Sequence, residues 1–342
     1  MILQFHGQPL RMALDGAEPG ILDGRAVADA VLAQLEPLVS QLALREARPT
    51  LAVVQVGADE ASTVYVRHKI EACEQIGIRS HHHPLSEEAT FHQVVERLQQ
   101  LNADPMVHGV LLQLPLPEPM DGPTAIRSID PNKDVDGFHP VNLGCLMTRM
   151  AHLEPCTPRG VLTLLRAADV QVEGKRAVVV GRSIIVGRPM AMMLTRANAT
   201  VTLCHRHTRD LDEIVSEADI LVVATGVAEL VKGDWIKEEA VVIDVGISRK
   251  DGSLCGDVEF DAARPRARWI TPVPGGVGPM TVATLLANTI RAACIQEECV
   301  IRDGRVVSVE EAGVHFRRTQ PLAITRLADG SPAHRPIFDD LH

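Results

Sequence analysis

Tyr65, the single tyrosine of the chain, stands four residues before Lys69 in Val64-Tyr-Val-Arg-His-Lys-Ile-Glu-Ala-Cys73. On a helix the two share a face, and Val66, Ile70 and Cys73 form the adjoining apolar stripe. A phenol and an amine then sit at the border of a buried face, where a cleft can form; taken alone, such a pair is most often surface decoration, and context must carry the rest. Gly77 supplies the helix stop. Gln113 closes the run Gly109-Val-Leu-Leu before Leu-Pro-Leu-Pro117 turns the chain outward. A buried amide needs partners, either neighbouring backbone or an ammonium such as Lys69. Asp134 and Asp136 lie in the turn Pro131-Asn-Lys-Asp-Val-Asp-Gly-Phe-His139. They read as ordinary turn acids, or as an acceptor for paired hydrogen bonds from an amino group and a ring N–H.

A second set of residues suits an extended, phosphate-bearing ligand. Ala177-Val-Val-Val-Gly-Arg-Ser-Ile-Ile-Val-Gly-Arg-Pro-Met190 reads as strand, glycine turn and helix start. Gly181 ends the strand, Arg182, Ser183 and Val186 fill the turn, and Gly187 and Pro189 enter the helix. Amides and dipole at a helix N-terminus favour an anion, although a plain tight turn has the same pattern and the spacing is not G-x-G-x-x-G. The next strand ends in Cys204-His-Arg-His-Thr208, where dinucleotide folds meet the adenosine ribose. Arg206 there, with Arg182 and Ser183, suits a 2′-phosphate and favours NADP over NAD; solvated surface cations are the alternative. Thr225-Gly226 and Asp244-Val-Gly246, followed by Ile247, add turns at strand ends. The loop Thr271-Pro-Val-Pro-Gly-Gly-Val-Gly-Pro-Met-Thr281 is shaped by its prolines and glycines to lay backbone against something flat, with Gly275, Gly276, Val277 and Pro279 as its contact surface.

The elements that must position these groups follow from periodicity. Leu51–Val56, Val107–Leu114, Ala177–Val180, Thr200–Leu203, Ile220–Ala224 and Ala240–Val245 are short runs, most of them continuously apolar, as strands covered on both faces should be. Between them Val27–Leu44, Ser62–Ile76, Phe91–Leu101, Gly160–Ala168, Pro189–Ala197 and Leu211–Ala218 carry a helical period. The alternation predicts two α/β domains with mainly parallel sheets, the second a Rossmann-like dinucleotide-binding domain. The domains are placed at 21–155 and 156–280, with the helix Thr281–Gln296 packing back on the first. Residues 1–20 show no period. Residues 300–342 begin with a candidate hairpin, Val300–Val307, around Asp303-Gly304.

Composition narrows the partners. The 342 residues, 46% hydrophobic, can bury full cores. A net charge of −10 argues against nucleic acid and anionic membrane, leaving small molecules. Seven scattered cysteines without zinc-ligand spacing fit reduced thiols, no metal and a cytoplasmic setting.

Together, Tyr65-x-x-x-Lys69, Gln113-Leu-Pro-Leu-Pro117, Asp134-Val-Asp-Gly137, Pro155-Cys-Thr-Pro158, Gly181-Arg-Ser-x-x-Val-Gly-x-Pro189 and Pro272-Val-Pro-Gly-Gly-Val-Gly-Pro-Met-Thr281 resemble the bifunctional methylenetetrahydrofolate dehydrogenase/methenyltetrahydrofolate cyclohydrolase family, from about Ile21 to Ala293. The resemblance implies tetrahydrofolate derivatives lying between the domains, NADP as cofactor, and a homodimer. It implies that Tyr65 stacks on the folate, Lys69 serves the chemistry, Gln113 tunes Lys69, and Asp136 holds the pterin edge. The loop Gly275–Pro279 would border folate and nicotinamide, while Arg182, Ser183 and the Cys204–Thr208 segment would take the NADP phosphates. Where the family often has Ser-Lys after Cys-His, this chain has Arg206-His207, which keeps positive charge. The competing readings are another two-domain NAD(P) dehydrogenase and a folate or nucleotide binder without catalysis.

Overall fold

The computed structural model describes residues 7–18, 20–148, 150, 153–250 and 252–312. The strand β1, Thr50–Val56, is buried along its whole length and forms the centre of a three-stranded parallel sheet with β2, Arg79–Leu85, and β3, Gly109–Leu112, in the order β2-β1-β3. Apolar side chains on both faces of β1 and β3 meet helices on either side, as a doubly covered parallel sheet requires. The strand β2 escapes an apolar-run reading because its residues, Arg-Ser-His-His-His-Pro-Leu, lie at the edge and point mostly outward. Its register with β1, Thr50 opposite Arg79 through Val56 opposite Leu85, makes it a full strand nonetheless.

The second sheet contains β4 (Arg176–Val180), β5 (Thr200–Cys204), β6 (Ile220–Val223) and β7 (Val241–Asp244). A small hairpin follows, β8 (Ser248–Lys250) with β9 (Ser253–Cys255), before β10 (Trp269–Ile270) completes the sheet. The order is β10-β7-β6-β4-β5, all parallel. The connections reverse direction between β4 and β6, and open α/β sheets receive ligands at the carboxyl ends of strands flanking such a reversal.

Local chemistry sets the helix ends. Asp23 accepts from the amides of Arg25 and Ala26 and starts Gly24–Leu44, Asp59 caps Glu60–Ile76, and Thr90 forms a capping box with Gln93 ahead of Phe91–Ala103. Gly77, at φ 80°, closes Glu60–Ile76 with its N–H on the Cys73 carbonyl. Gly24–Leu44 is long and apolar enough to cross a membrane by length and composition. Here it is a core helix: Val27, Val31, Leu35 and Leu42 are fully buried, and it packs against Val277–Gln296.

The helix Val277–Gln296 begins four residues before Thr281 and also packs on Glu60–Ile76 and Cys156–Ala167. Residues 20–22 join the nucleotide sheet: Leu22 N–H donates to the Ile270 carbonyl at 2.9 Å, and Ile270 N–H to the Gly20 carbonyl at 2.8 Å.

Both extensions carry structure. Gly7–Met12 is helical where the sequence shows no period; buried Leu10 and Leu14 supply the packing, and Arg11 pairs with Asp169. The hairpin consists of β11, Cys299–Arg302, and β12, Arg305–Ser308, turning through Asp303 and Gly304 at φ 50° and 72°. It docks on the end of Gly24–Leu44: Gln41 Oε1 accepts from Val306 N–H at 2.9 Å, and Arg45 Nη2 donates to the Val306 carbonyl at 3.1 Å. The remainder of the proline-containing tail, 313–342, lies outside the described residues.

Candidate active site

Helix Glu60–Ile76 turns Val66 and Cys73 into the core and leaves Tyr65 39% exposed. Lys69, one turn further on, is drawn inward to 8% exposure, deeper than the border position its spacing implies. Its Nζ donates to Gln113 Oε1 at 3.0 Å, across 44 residues of sequence. The other end of that amide is occupied as well, because Gln113 Nε2 donates to the Leu114 carbonyl at 2.7 Å. The amide oxygen is thereby turned toward the amine, and the half-buried Gln113 holds Lys69 in place. Burial raises the Tyr65 phenol above its ordinary value, so it stays protonated near neutrality.

The two turn acids separate in role. Asp134 is a structural anchor: fully buried, it accepts from His139 N–H at 2.7 Å and from Asn142 Nδ2 at 2.8 Å, which closes the turn on itself. Asp136 is half-buried beside Lys69. Burial pushes its carboxyl up to about 6, against the pull of the Lys69 charge, while Asp134 raises it further and Cys156 lowers it. Gly137, at φ 76°, lets the chain press on the Glu154–Pro155 peptide, where any Cβ would collide at 2.6 Å. The Cys156 N–H donates to the Asp136 carbonyl at 3.3 Å, fastening the turn to the start of helix Cys156–Ala167. Lys69 therefore bonds Gln113, and the Asp136 carboxyl lies within reach of the Lys69 charge, with Tyr65 on the Lys69 face of the same helix.

At the carboxyl edge of the second sheet, Gly181 takes φ 116° and lies against the Ala224 carbonyl, while Gly187 sits against Gly181 itself. Arg182 and Ser183 are exposed above this turn, and Ser183 Oγ accepts from Val186 N–H at 3.1 Å, which shapes the entry to helix Gly187–Arg196. Arg206 is exposed at the end of β5, its Nε donating to His207 Nε2 at 3.1 Å. Thr225 and Gly226 follow β6. Ile247 follows β7, and it and Val227 remain 47% and 52% exposed, apolar surface beside open backbone. Glycines that admit close approach, exposed guanidinium groups and an apolar rim on one edge fit a phosphorylated dinucleotide.

The sequence reading missed Asp257. Fully buried, its Oδ2 accepts from the N–H groups of Thr225 and Gly226 at 2.5 and 2.9 Å and from Thr225 Oγ1 at 2.9 Å, building the β6 turn. Asp244 behind it is pushed to about 6 by burial, despite accepting from Asp257, Val258 and Gly246 amides. Only the flanking Gly256 hinted at this close packing. Gly275, Gly276, Val277 and Pro279 form the turn into the last long helix; Gly276 is wedged beneath Gly24, and the Gly275 carbonyl accepts from Arg25 N–H at 3.0 Å. That loop is thus braced by the first unit rather than by the nucleotide sheet alone.

Fold and site define a two-unit α/β protein that joins an amine, amide and carboxylate cluster to a dinucleotide-binding sheet. Residues 22–136 match the tetrahydrofolate dehydrogenase/cyclohydrolase catalytic domain, and residues 155–297 match the NAD(P)-binding domain of the same family. The protein called bifunctional protein FolD 1 of Hydrogenovibrio crunogenus is 51% identical over 278 residues, 80% of this chain and 97% of that protein. Among solved structures, the Campylobacter jejuni bifunctional methylenetetrahydrofolate dehydrogenase/cyclohydrolase superposes with a TM-score of 0.78 at 44% identity, covering 80% of this chain and 98% of its own. The Trypanosoma brucei enzyme, solved with NADP cofactor and an inhibitor, gives 0.76 at 42% identity, with 80% and 96% covered. The chain belongs to the tetrahydrofolate dehydrogenase/cyclohydrolase family.

Proposed function

We propose that this protein oxidises 5,10-methylenetetrahydrofolate to 5,10-methenyltetrahydrofolate with NADP and hydrolyses the product to 10-formyltetrahydrofolate. The observation that carries the reading is the Lys69 Nζ to Gln113 Oε1 contact at 3.0 Å, beside the Asp136 carboxylate. NADP, when bound along Gly181, Arg182, Ser183, Val186, Gly187, Arg206, Thr225, Gly226 and Ile247, supplies the hydride acceptor. Asp136 accepts hydrogen bonds from the pterin edge, Tyr65 stacks on the ring, and the loop Gly275–Pro279 borders the folate, which together fix the one-carbon bridge in place. In the second step water adds to the methenyl carbon, loses a proton, and the ring C–N bond opens to leave the formyl group. Lys69, aimed by Gln113, orients that water or receives its proton.

The catalytic unit is assigned to 21–155 with helix 281–296, and the nucleotide unit to 156–280, a division supported by the two separate sheets. A homodimer in the cytoplasm completes the reading. The edge strand β2 offers a surface to which a second copy can add, and the 10-formyl product would serve formyl transfer in purine biosynthesis. Methenyltetrahydrofolate absorbance followed with NADP⁺ and then NAD⁺ tests the function. Formation followed by decay with NADP⁺ is the expected course, and an absence of both with either nucleotide refutes it.

A further inference from the structure

Asn288, 2% exposed, is one of the buried polar side chains of the last long helix, with Thr284, Thr289 and Arg291. It lies within a buried run that includes Leu285, Leu286, Ile290, Ala292 and Ala293, so an amide there needs both its N–H groups met. They are met by two separate segments. Asn288 Nδ2 donates to the Val135 carbonyl at 2.8 Å and to the Glu154 carbonyl at 2.9 Å. Val135 immediately precedes Asp136, and Glu154 immediately precedes the Pro155-Cys156 turn that leads into the nucleotide unit. The thiol of Cys156 donates to the same Val135 carbonyl at 3.2 Å. Gly137 allows the two segments to touch without an intervening side chain.

We infer that Asn288 is a positioning residue: its amide staples the Asp136 turn to the 154–156 turn and so holds the Asp136 carboxylate at the height at which folate meets it. This rests on the reading that Asp136 binds the pterin edge. The physical case is that one N–H holds the peptide that carries Asp136 and the other holds the Glu154 peptide, so a single amide fixes the spacing of the two turns and with it the place of Asp136. Three separate elements, the turn at 134–137, the turn at 154–156 and helix Val277–Gln296, converge on one amide. Asn288 itself need not touch substrate, because its effect passes through the backbone of residue 135.

The test compares Asn288→Leu, which keeps the volume and removes both donors, with Thr289→Val one position along. Thr289 is equally buried, but its hydroxyl donates only within its own helix, to the Leu285 carbonyl at 2.9 Å. The KM for methylenetetrahydrofolate and the KM for NADP⁺ are measured for each, with thermal midpoints. Asn288→Leu should raise the folate KM about tenfold or more and leave the NADP⁺ KM within about twofold, since misplacing a binding group by a fraction of an ångström is costly in this way. Thr289→Val should move neither. A folate KM within the range of Thr289→Val, or both KM values rising together, overturns the inference. Should Asn288→Leu not fold, Asn288→Ser takes its place, since the shorter side chain cannot span both carbonyls: the folate KM should again rise alone, and a value in the Thr289→Val range overturns the staple. Asp136→Ala separates the levels. It should weaken folate binding with little change in NADP affinity; an unchanged folate dissociation constant removes the Asp136 assignment and the staple with it. Weakened binding there, together with an inert Asn288→Leu, removes the staple alone.

Discussion

Replacing Asp136 by Asn should stabilise the fold while disabling folate binding. The carboxyl moves from an ordinary 3.8 to about 6 because it is desolvated, even with the Lys69 charge beside it. Ionising it therefore costs the folded state up to about 3 kcal/mol more than the unfolded chain. The group is half-buried, so solvent screening discounts this to about 1–3 kcal/mol. The folded state holds this proton more tightly, so it carries more bound protons than the unfolded chain between about pH 4 and 6. Stability accordingly falls as pH rises through that window; the penalty is full above it and absent below it. Asparagine, near in shape to the protonated acid, escapes the penalty. At pH 7.5 Asp136→Asn should melt about 2–12 °C higher than the parent, given about 2–4 °C per kcal/mol for a protein of a few hundred residues. At pH 4.5 the advantage should shrink to about a third, since the unfolded carboxyl is already mostly ionised there. Asp244, also raised to about 6, is present in both proteins and cancels. Calorimetry at the two pH values decides the matter. A variant no more stable than the parent at pH 7.5, or an advantage undiminished at pH 4.5, refutes the argument that this carboxylate is held at an energetic cost for the sake of its ligand.

Lys69→Met should abolish cyclohydrolase activity while sparing part of the dehydrogenase, read as methenyltetrahydrofolate that accumulates and does not decay; full hydrolysis by the variant would remove Lys69 from the mechanism. Arg206→Ser should raise the KM for NADP⁺ about tenfold or more and leave that for NAD⁺ nearly unchanged, the loss expected of one charge-assisted hydrogen bond to the 2′-phosphate. An unaltered ratio of the two KM values would show that Arg206 does not read the phosphate.

The strands that carry the site were legible wherever both faces are buried. Thr50–Val56, Ile220–Val223 and Val241–Asp244 are apolar at nearly every position, because helices cover both sides, and their runs match the observed elements to within a residue or so at each end. Arg79–Leu85 was not legible. An edge strand draws its hydrogen bonds from β1 and needs no apolar run, so three successive histidines hide it. Gly7–Met12 escaped for a related reason: six residues are too short to show a period, and Leu10 is buried where this helix packs on Gly24–Leu44 and Cys156–Ala167, far away in sequence. Asp257 and Asn288 were invisible as well. A buried polar residue looks like any surface one until its partners, which are far away in sequence, are known.

The chain's own order of residues determined the chemical inventory and its local geometry. The i,i+4 spacing placed Tyr65 and Lys69 on one helical face, proline and glycine shaped the loops, and glycine turns after strands marked the nucleotide edge. Only the tertiary structure decided that Lys69 points at Gln113, that Asp136 and not Asp134 is left open, and that Asn288 reaches two turns at once. Those pairings span 44, 153 and 134 residues, distances over which periodicity carries no information. They arise because burying the apolar faces of Glu60–Ile76 and Val277–Gln296 against common neighbours leaves each polar group one place in which its hydrogen bonds can be made.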